Sequence, residues 1–180
     1  MLLIFAGPNG SGKSTITEMF EIIGKYTNAD DLVKQKGISN LYAAKLVEEM
    51  RNEYIRLNED FTFETVLSNE RYINLIKKAK AQGYFIKVIY VITRDPSINV
   101  NRVNCRVSSG GHDVPIDKIV SRYYKSLANI KEVYKYCDIL HVYDNTEVAQ
   151  RIFRKHKNEP IMIFENEYWS YREIQELINI

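Results

Sequence analysis

Residues 7–14 read Gly7-Pro8-Asn9-Gly10-Ser11-Gly12-Lys13-Ser14. They match the pattern G-x-x-x-x-G-K-[ST] at every fixed position. They also lie between an apolar run at residues 2–6 and a predicted helix at residues 14–23, which is the strand–loop–helix context that the motif needs. The glycines allow the backbone to wrap around a phosphate and turn several N–H groups inward. The pattern therefore predicts a phosphate-binding loop, and we add Thr15 to the predicted nucleotide-binding residues.

Two side chains of this loop have predicted roles. Lys13 is expected to reach the β- and γ-phosphates of a nucleotide, and the Ser14 hydroxyl is expected to bind Mg²⁺. A purely structural glycine-rich turn is the alternative, which a match in frame over the whole motif disfavours. The sequence has neither a Leu-Ser-Gly-Gly-Gln-like signature of ABC transporter ATPases nor an Asn-Lys-x-Asp-like guanine motif. We therefore expect ATP, with Mg²⁺, as the cofactor.

Predicted strands and helices alternate along the chain. Strands are predicted at residues 2–6, 26–29, 61–64, 84–93 and 139–143, and helices at residues 14–23, 40–58, 70–82, 96–108, 115–134 and 147–155. A strand-like stretch at residues 161–164 and a helix that begins with a capping box at Ser170 and Glu173 follow. This alternation predicts the α/β class, as a P-loop NTPase three-layer sandwich in which a five-stranded parallel sheet carries helices on both faces.

Strand order and domain organisation complete the predicted fold. By analogy with nucleoside monophosphate kinases we expect the strand order 2-3-1-4-5. Gly110 and Gly111 interrupt the helical pattern, so a helical lid is expected near residues 102–122. No internal repeat, low-complexity segment or linker divides the sequence, and we expect residues 1–180 to form a single P-loop kinase domain.

Composition and charge favour a globular, cytoplasmic protein. Hydrophobic residues make up 45% and charged residues 27% of the 180 residues, and the formal net charge is +2, which gives no attraction toward nucleic acid or an anionic membrane. No apolar run approaches the roughly 20 residues of a spanning helix, and the apolar start is too short for a signal peptide. Cys105 and Cys137 lack metal-ligand spacing and are predicted to be reduced thiols. The 13 tyrosines are interpreted as packing residues rather than as stacking platforms for nucleic acid bases.

Carboxylates follow two of the predicted strands. Asp30 comes just after the second strand, at the edge of the sheet where open α/β folds bind ligands, and it is the candidate catalytic base. Asp31 is the weaker candidate, and either aspartate could instead cap the next helix. Glu64 ends the third strand and could hold substrate or a water on Mg²⁺, with Thr65 beside it; a solvated carboxylate at the end of a strand is the alternative.

Three arginines and a histidine belong to the predicted lid. Arg102 and Arg106 are four residues apart, so they project from one face of their helix, and Arg122 lies beyond the glycine pair. Guanidinium groups grip phosphate oxygens and would offset the charge that develops on a transferred phosphate. Ordinary solvated helix charges are the alternative. His112, between these segments, could contact phosphate or substrate or could cap the lid.

Several segments resemble the zeta toxin family and its small kinase-like relatives in order and spacing. They are residues 28–31 (Asn-Ala-Asp-Asp), 61–65 (Phe-Thr-Phe-Glu-Thr), 95–106, 110–115 (Gly-Gly-His-Asp-Val-Pro) leading into Arg122, and 144–146 (Asp-Asn-Thr). The resemblance covers roughly residues 1–155. The Gly-Gly-His-x-Val-Pro combination is more specific than the phosphate-binding loop. This chain is shorter than the best-described members, and Asn-Ala-Asp-Asp replaces their aspartate-rich stretch that ends in a basic residue.

The resemblance implies a kinase that transfers phosphate from ATP to a small molecule. In the relatives an aspartate at the position of Asp30 accepts the proton of the substrate hydroxyl, and a glutamate at the position of Glu64 binds substrate. It also implies a sugar nucleotide such as UDP-N-acetylglucosamine as acceptor, and an antitoxin as a possible protein partner. A nucleotide or polynucleotide kinase and a non-enzymatic ATP-dependent switch remain the alternatives.

Overall fold

A mixed sheet forms the centre of the protein in the computed structural model, which describes residues 1–111 and 113–180. Within these residues the sheet has seven strands in the order β2-β3-β1-β4-β5-β6-β7. The strands are β1 (Leu2–Ala6), β2 (Lys25–Thr27), β3 (Phe61–Thr65), β4 (Ile86–Ile92), β5 (Ile139–Asp144), β6 (Gln150–His156) and β7 (Met162–Ile163). The helices are α1 (Lys13–Thr17), α2 (Ala29–Lys36), α3 (Asn40–Leu57), α4 (Glu70–Ala81), α5 (Pro96–Ser108), α6 (Ile116–Tyr136) and α7 (Tyr171–Ile178).

Helices cover both faces of the sheet. Alternate residues of a strand point to opposite faces, and in β1 residues 2, 4 and 6 join a core cluster with α3, α4 and α6, whereas residues 3 and 5 pack with Ile16 of α1. The central strand β4 is buried along its length except at Lys87, as its continuous apolar sequence predicts. The three-layer arrangement of the prediction is therefore observed.

The prediction of a purely parallel, five-stranded sheet is wrong, because two further strands extend the sheet in antiparallel pairing. Strands β1 to β5 pair in parallel in the order 2-3-1-4-5, but β6 and β7 extend the sheet with antiparallel pairing. Residues 147–155, predicted as a helix, mostly belong to β6. Residues 145–149 are too few for a parallel crossover, so the chain returns antiparallel along β5. Burial of Ile152 and Phe153 in that position outweighs local helix propensity.

The first helix is also shorter than predicted. It ends at Thr17 instead of residue 23, because contacts with the sheet hold the residues that follow it. The backbone N–H of Ile23 donates to the Thr62 hydroxyl at 3.0 Å, and the same hydroxyl donates to the Ile23 carbonyl at 2.7 Å. The ring of Phe20 lies 5.9 Å from that of Phe5. These tertiary contacts replace the helical turns that the sequence pattern predicts.

The helices on either side of Gly110 and Gly111 and the C-terminal helix agree with the sequence pattern. Helices α5 and α6 share a small apolar cluster of Val103, Val114 and Ile119. The capping box of α7 is present at Ser170 and Glu173.

Cys105 and Cys137 are both free thiols. Among the helices that the structure describes, not one combines the length and the apolar character needed to cross a membrane.

Candidate active site

A cleft of about 320 Å³ opens at the carboxyl ends of β1, β2 and β3. It brings together residues that are far apart in the sequence. The predicted site residues that line it are Asn9, Gly10, Gly12, Lys13, Ser14, Thr15, Asp30, Glu64, Thr65, Arg102 and Arg106. Asn28, Arg51 and Tyr72 also line it, although the sequence reasoning assigned them no role. The carboxyl edge of the sheet is where open α/β folds bind ligands.

The Lys13 ammonium group lies at the base of this cleft. Its side chain is buried, and Nζ donates to the Pro8 carbonyl oxygen at 2.9 Å. Burial lowers the pKa of Lys13, the carboxylates of Glu64 and Asp30 act in the opposite direction, and the charge of Arg106 lowers it further. Since such influences weaken with distance, two carboxylates and a guanidinium group share one electrostatic environment with this ammonium group.

Other elements press closely on the phosphate-binding loop. Gly7 has φ +144°, and a Cβ atom there would lie 2.0 Å from the Val91 carbonyl oxygen of β4. Gly12 has φ +87°, and a Cβ atom there would lie 2.1 Å from Nδ2 of Asn145. Glycine is required at both places because the backbone is left-handed and no space remains for a side chain. The conformation of the loop thus depends on β4 and on the residues after β5.

Two asparagines hold this loop in place, and sequence reasoning missed both roles. Asn99 of α5 is fully buried; its Nδ2 donates to the Asn9 carbonyl at 2.6 Å, and its Oδ1 accepts from the Thr93 hydroxyl. Asn145 donates from Nδ2 to the Ser11 carbonyl at 2.8 Å. Residues 144–146 are one of the segments that resemble the zeta toxin family, and from this segment Asn145 supports the phosphate-binding loop.

Asp30 is not a helix cap. The cap of α2 is Asn28, whose Oδ1 accepts from the backbone N–H of Asp30 at 3.0 Å, so the alternative in which Asp30 or Asp31 caps that helix is wrong. Asp30 is exposed in the first turn and lines the cleft, whereas Asp31 does not line it. The Asp30 carboxylate therefore does not cap α2, and its position in the cleft is compatible with a role there.

Glu64 and Thr65 differ although they are neighbours. Glu64 is half-buried, lines the cleft and influences Lys13. The buried Thr65 hydroxyl accepts from the backbone N–H of Leu67 at 3.0 Å, and the Thr65 carbonyl accepts from Gly7 at 3.2 Å. These bonds give Thr65 a structural task at the end of β3, next to the cleft that it also lines.

The predicted lid arginines occupy three different environments. Arg102 is half-buried and donates to the carbonyl oxygens of Asn145 at 2.8 Å and Thr146 at 2.9 Å. Arg106 is exposed, lines the cleft and affects Lys13. Arg122 is half-buried on α6 and is not among the described residues that line the cleft. The predicted role of His112 falls outside the described residues.

Arg51 of α3 is the charged cleft residue that sequence reasoning missed. It is 2% exposed; Nε donates to the Thr27 hydroxyl at 3.0 Å, and Nη2 donates to the Thr27 carbonyl at 3.1 Å. Its guanidinium carbon lies 4.2 Å from the centre of the Phe63 ring. In the sequence Arg51 is one of many charges on an amphipathic helix, and only its spacing from Val47, Tyr54 and Ile55 on the apolar face could have indicated burial.

Comparisons with known proteins agree with this fold. A family model described as an AAA domain matches residues 2–180. An uncharacterized protein of Haemophilus influenzae is 27% identical over 127 residues, which is 67% of this chain and 91% of that protein.

Two solved structures share the fold at low sequence identity. The AvrRxo1-ORF1:AvrRxo1-ORF2 complex superposes with a TM-score of 0.71 at 14% identity, covering 99% of this chain and 63% of that chain, and it has also been solved with ATP. The PezAT chromosomal toxin–antitoxin system of Streptococcus pneumoniae superposes with a TM-score of 0.64 at 16% identity, covering 99% of this chain and 83% of that chain. The resemblance to the zeta toxin family is thus confirmed for the fold.

Proposed function

Because this chain belongs to the AAA domain family and its phosphate-binding loop faces two carboxylates across one cleft, we propose that it is an ATP-dependent phosphotransferase. It transfers the γ-phosphate of ATP to a hydroxyl group of a small molecule. The observation that carries the proposal is that Lys13, Asp30, Glu64 and Arg106 line one cleft at the end of the phosphate-binding loop. A carboxylate in this position can accept the proton of an acceptor hydroxyl, which phosphoryl transfer requires and nucleotide binding alone does not.

The residues of the cleft divide the task of phosphoryl transfer. The loop amides and Lys13 hold the β- and γ-phosphates, which is mainly positioning and electrostatic work. Asp30 accepts the proton of the acceptor hydroxyl, as a carboxylate within reach of that hydroxyl can do. Glu64 holds the acceptor, and Arg106 offsets the charge on the transferred group. Arg102 acts indirectly, because its guanidinium group is bonded to the carbonyl oxygens after β5.

The cleft also suits Mg²⁺. The Ser14 hydroxyl and the carboxylates of Asp30 and Glu64 line it, and such oxygen donors are the ligands that Mg²⁺ prefers. Among the described residues no group of three or more His, Cys, Asp or Glu side chains is arranged to hold a metal by itself. This fits a metal that is held by few protein atoms and completed by phosphate oxygens and water. When bound, Mg²⁺ would neutralise charge on the phosphates, with Ser14 as its protein ligand.

The proposal extends to the identity of the acceptor and of a protein partner. A sugar nucleotide, such as UDP-N-acetylglucosamine, is the proposed acceptor on the strength of the resemblance to zeta toxins. An antitoxin is the proposed partner, since PezAT is a toxin–antitoxin system. The chain spans about 63% of the length of the AvrRxo1 chain that it matches, so the activity and partner of that longer protein support this proposal only where the two chains overlap.

Transfer of labelled phosphate tests the proposal directly. The protein is incubated with labelled ATP and Mg²⁺ against sugar nucleotides, sugars, nucleosides and nucleic acid ends. Lys13→Ala should abolish transfer and greatly weaken ATP binding. Asp30→Asn should spare ATP affinity but lower turnover by about 10²-fold or more, the range of lost general base catalysis. Asp31→Asn, which alters the neighbouring carboxylate outside the cleft, is the matched control.

Three outcomes would contradict the proposal. Transfer only to nucleic acid ends would favour a polynucleotide kinase. ATP binding without transfer to any compound would favour an ATP-dependent switch. Equal turnover by Asp30→Asn and the unaltered protein would remove Asp30 from the mechanism.

A further inference from the structure

A second cavity lies beside the cleft and shares a wall with it. This cavity has a volume of about 200 Å³, and Arg51 and Tyr72 line both spaces. Its lining also includes Arg71 and Lys78, against the single carboxylate of Glu48. The cavity is therefore cationic on balance, and Arg51 and Tyr72 form the wall between it and the cleft.

Arg51 is a buried cation whose hydrogen bonds and ring contact, among the described residues, are with neutral groups. Its guanidinium group donates to Thr27 through Nε and Nη2 and packs on Phe63, but the ion pairs formed by the described residues do not include it. Burial lowers the pKa of Arg51 to about 10, the Tyr72 hydroxyl acts in the opposite direction, and the positive charge of Arg71 lowers the pKa further. A buried cation is costly unless an opposite charge compensates it. An anion bound beside Arg51 would supply that compensation.

Arg71 adds a second guanidinium group, which contacts Tyr72. Its Nη2 donates to the Tyr72 hydroxyl at 2.9 Å, and its guanidinium carbon lies 4.8 Å from the centre of the Tyr72 ring. Arg71 is exposed, so it is free to reorient toward a ligand without disturbing the core. Guanidinium groups bind phosphate and carboxylate oxygens in pairs of parallel hydrogen bonds.

The position of Arg51 relates this cavity to the reacting groups. Arg51 donates both of its hydrogen bonds to Thr27, which precedes Asp30 by three residues. Arg51 also covers Phe63, which directly precedes Glu64. Asp30 and Glu64 face the cleft on one side of Arg51, and the second cavity lies on the other. An acceptor whose hydroxyl group reaches Asp30 and whose far end lies in the second cavity would pass Arg51.

We propose that the acceptor carries an anionic oxygen group, a phosphate or a carboxylate, which Arg51 and Arg71 bind in the second cavity. The inference rests on the proposed phosphotransfer and assigns the anionic part of its acceptor, such as the diphosphate of a sugar nucleotide, to Arg51 and Arg71. Neutral sugars and nucleosides are excluded as good acceptors, because they would leave the Arg51 charge uncompensated. The second cavity thus selects acceptors by the charge of a group that lies away from the hydroxyl that receives the phosphate.

Matched acceptor pairs test this selection. Each neutral compound is compared with its anionic counterparts in the presence of labelled ATP and Mg²⁺. Glucose is compared with glucose 1-phosphate and glucuronate, and uridine is compared with UMP and UDP. Transfer should be confined to anionic members, and the phosphate and carboxylate arms identify which oxyanion is preferred. In Arg51→Gln the KM for the accepted compound should rise by about 10- to 100-fold, as expected for loss of a charged hydrogen-bonding partner, with ATP affinity unchanged. Equal transfer to neutral and anionic members would overturn the proposal.

Binding of pyrophosphate, with malonate as the carboxylate probe, tests the site without catalysis. Isothermal titration should show an anion site that remains in Lys13→Ala and weakens at least about 10-fold in Arg51→Gln or Arg71→Gln. Arg71→Gln covers the case in which Arg51→Gln fails to fold, because Arg71 is on the surface. Arg56→Gln changes an exposed arginine of the same helix, paired with Glu53, and should keep the site. Binding that depends on Lys13 alone would refute the second site.

The two proposals fail in different ways. Arginine-dependent anion binding without transfer to any compound would refute the phosphotransferase but not the anion site. Transfer to neutral compounds that Arg51→Gln leaves unaffected would refute the anion site but not the phosphotransferase.

Discussion

Replacing Gly12 by alanine should destabilise the protein through two separable effects. The first is backbone strain, since Gly12 has φ +87° and a left-handed conformation costs a residue with a Cβ atom about 1–2 kcal/mol. The second is displacement of Asn145, whose Nδ2 atom lies 2.1 Å from the added Cβ position. Because that atom donates to the Ser11 carbonyl, its movement leaves a loop acceptor unpaired, at about 1–2 kcal/mol more. The total is about 2–4 kcal/mol.

Gly37→Ala is the matched control for the first effect. Gly37 has φ +63°, but nothing lies within 4 Å of its Cβ position, so alanine there adds only backbone strain. Urea unfolding followed by circular dichroism should place the midpoint of Gly12→Ala about 0.5–1 M below that of Gly37→Ala, for a slope of about 2 kcal/mol/M.

A double-mutant cycle tests the cause of the difference. Asn145→Ala removes the same hydrogen bond, so it should cost about 1–2 kcal/mol alone but little when Gly12→Ala is already present. Midpoints that coincide for Gly12→Ala and Gly37→Ala, or simple additivity of Gly12→Ala and Asn145→Ala, would refute the reasoning.

The thiols and one histidine give two further predictions. Cys137 is buried and its pKa is raised to about 12 by that burial, whereas Cys105 is exposed. Ellman's reagent at pH 8 should therefore modify one thiol per native chain and two thiols per chain in urea. Two rapidly reacting thiols in the native protein would contradict the fold. Burial, together with nearby cations such as Arg151, lowers the pKa of His141 to about 4, so the unfolded chain binds a proton below its ordinary value of 6.5 while the folded chain does not. The free energy of unfolding should therefore fall by about 1–2 kcal/mol as the pH falls from 6.5 toward 4, after allowance for partial solvent screening. His141→Gln should lose less stability over that range, and identical pH profiles would contradict this assignment.

Parts of the fold that depend on local pattern could be predicted from the sequence. Residues 2–14 combine a buried strand, the glycines of a left-handed loop and the lysine and serine of a phosphate site within one short stretch. The continuous apolar sequence of β4 likewise indicated a central strand. The resemblance to zeta toxins correctly indicated the fold, which the comparison with PezAT supports over 99% of this chain.

The errors occurred where distant contacts outweighed local preference. Residues 18–22 have a helical pattern, but the bonds of Ile23 to Thr62 end α1 early. Residues 150–156 form an antiparallel strand because the edge of β5 offers backbone partners that a local pattern does not reveal. The sequence pattern allowed Asp30 to cap α2, whereas in the structure Asn28 caps this helix.

The sequence by itself determined where phosphate would bind, because a tight loop and its glycines are a local requirement of the backbone. The tertiary structure alone decided what surrounds that loop: Asn99 and Asn145 as its supports, Arg102 as a donor to the carbonyl oxygens after β5, and Arg51 as a buried cation beside the cleft. Each of these roles depends on a partner in another element, and the free energy of a charge or amide group is set by its burial and its partners. Those are properties of the folded chain, which no spacing within a single segment encodes.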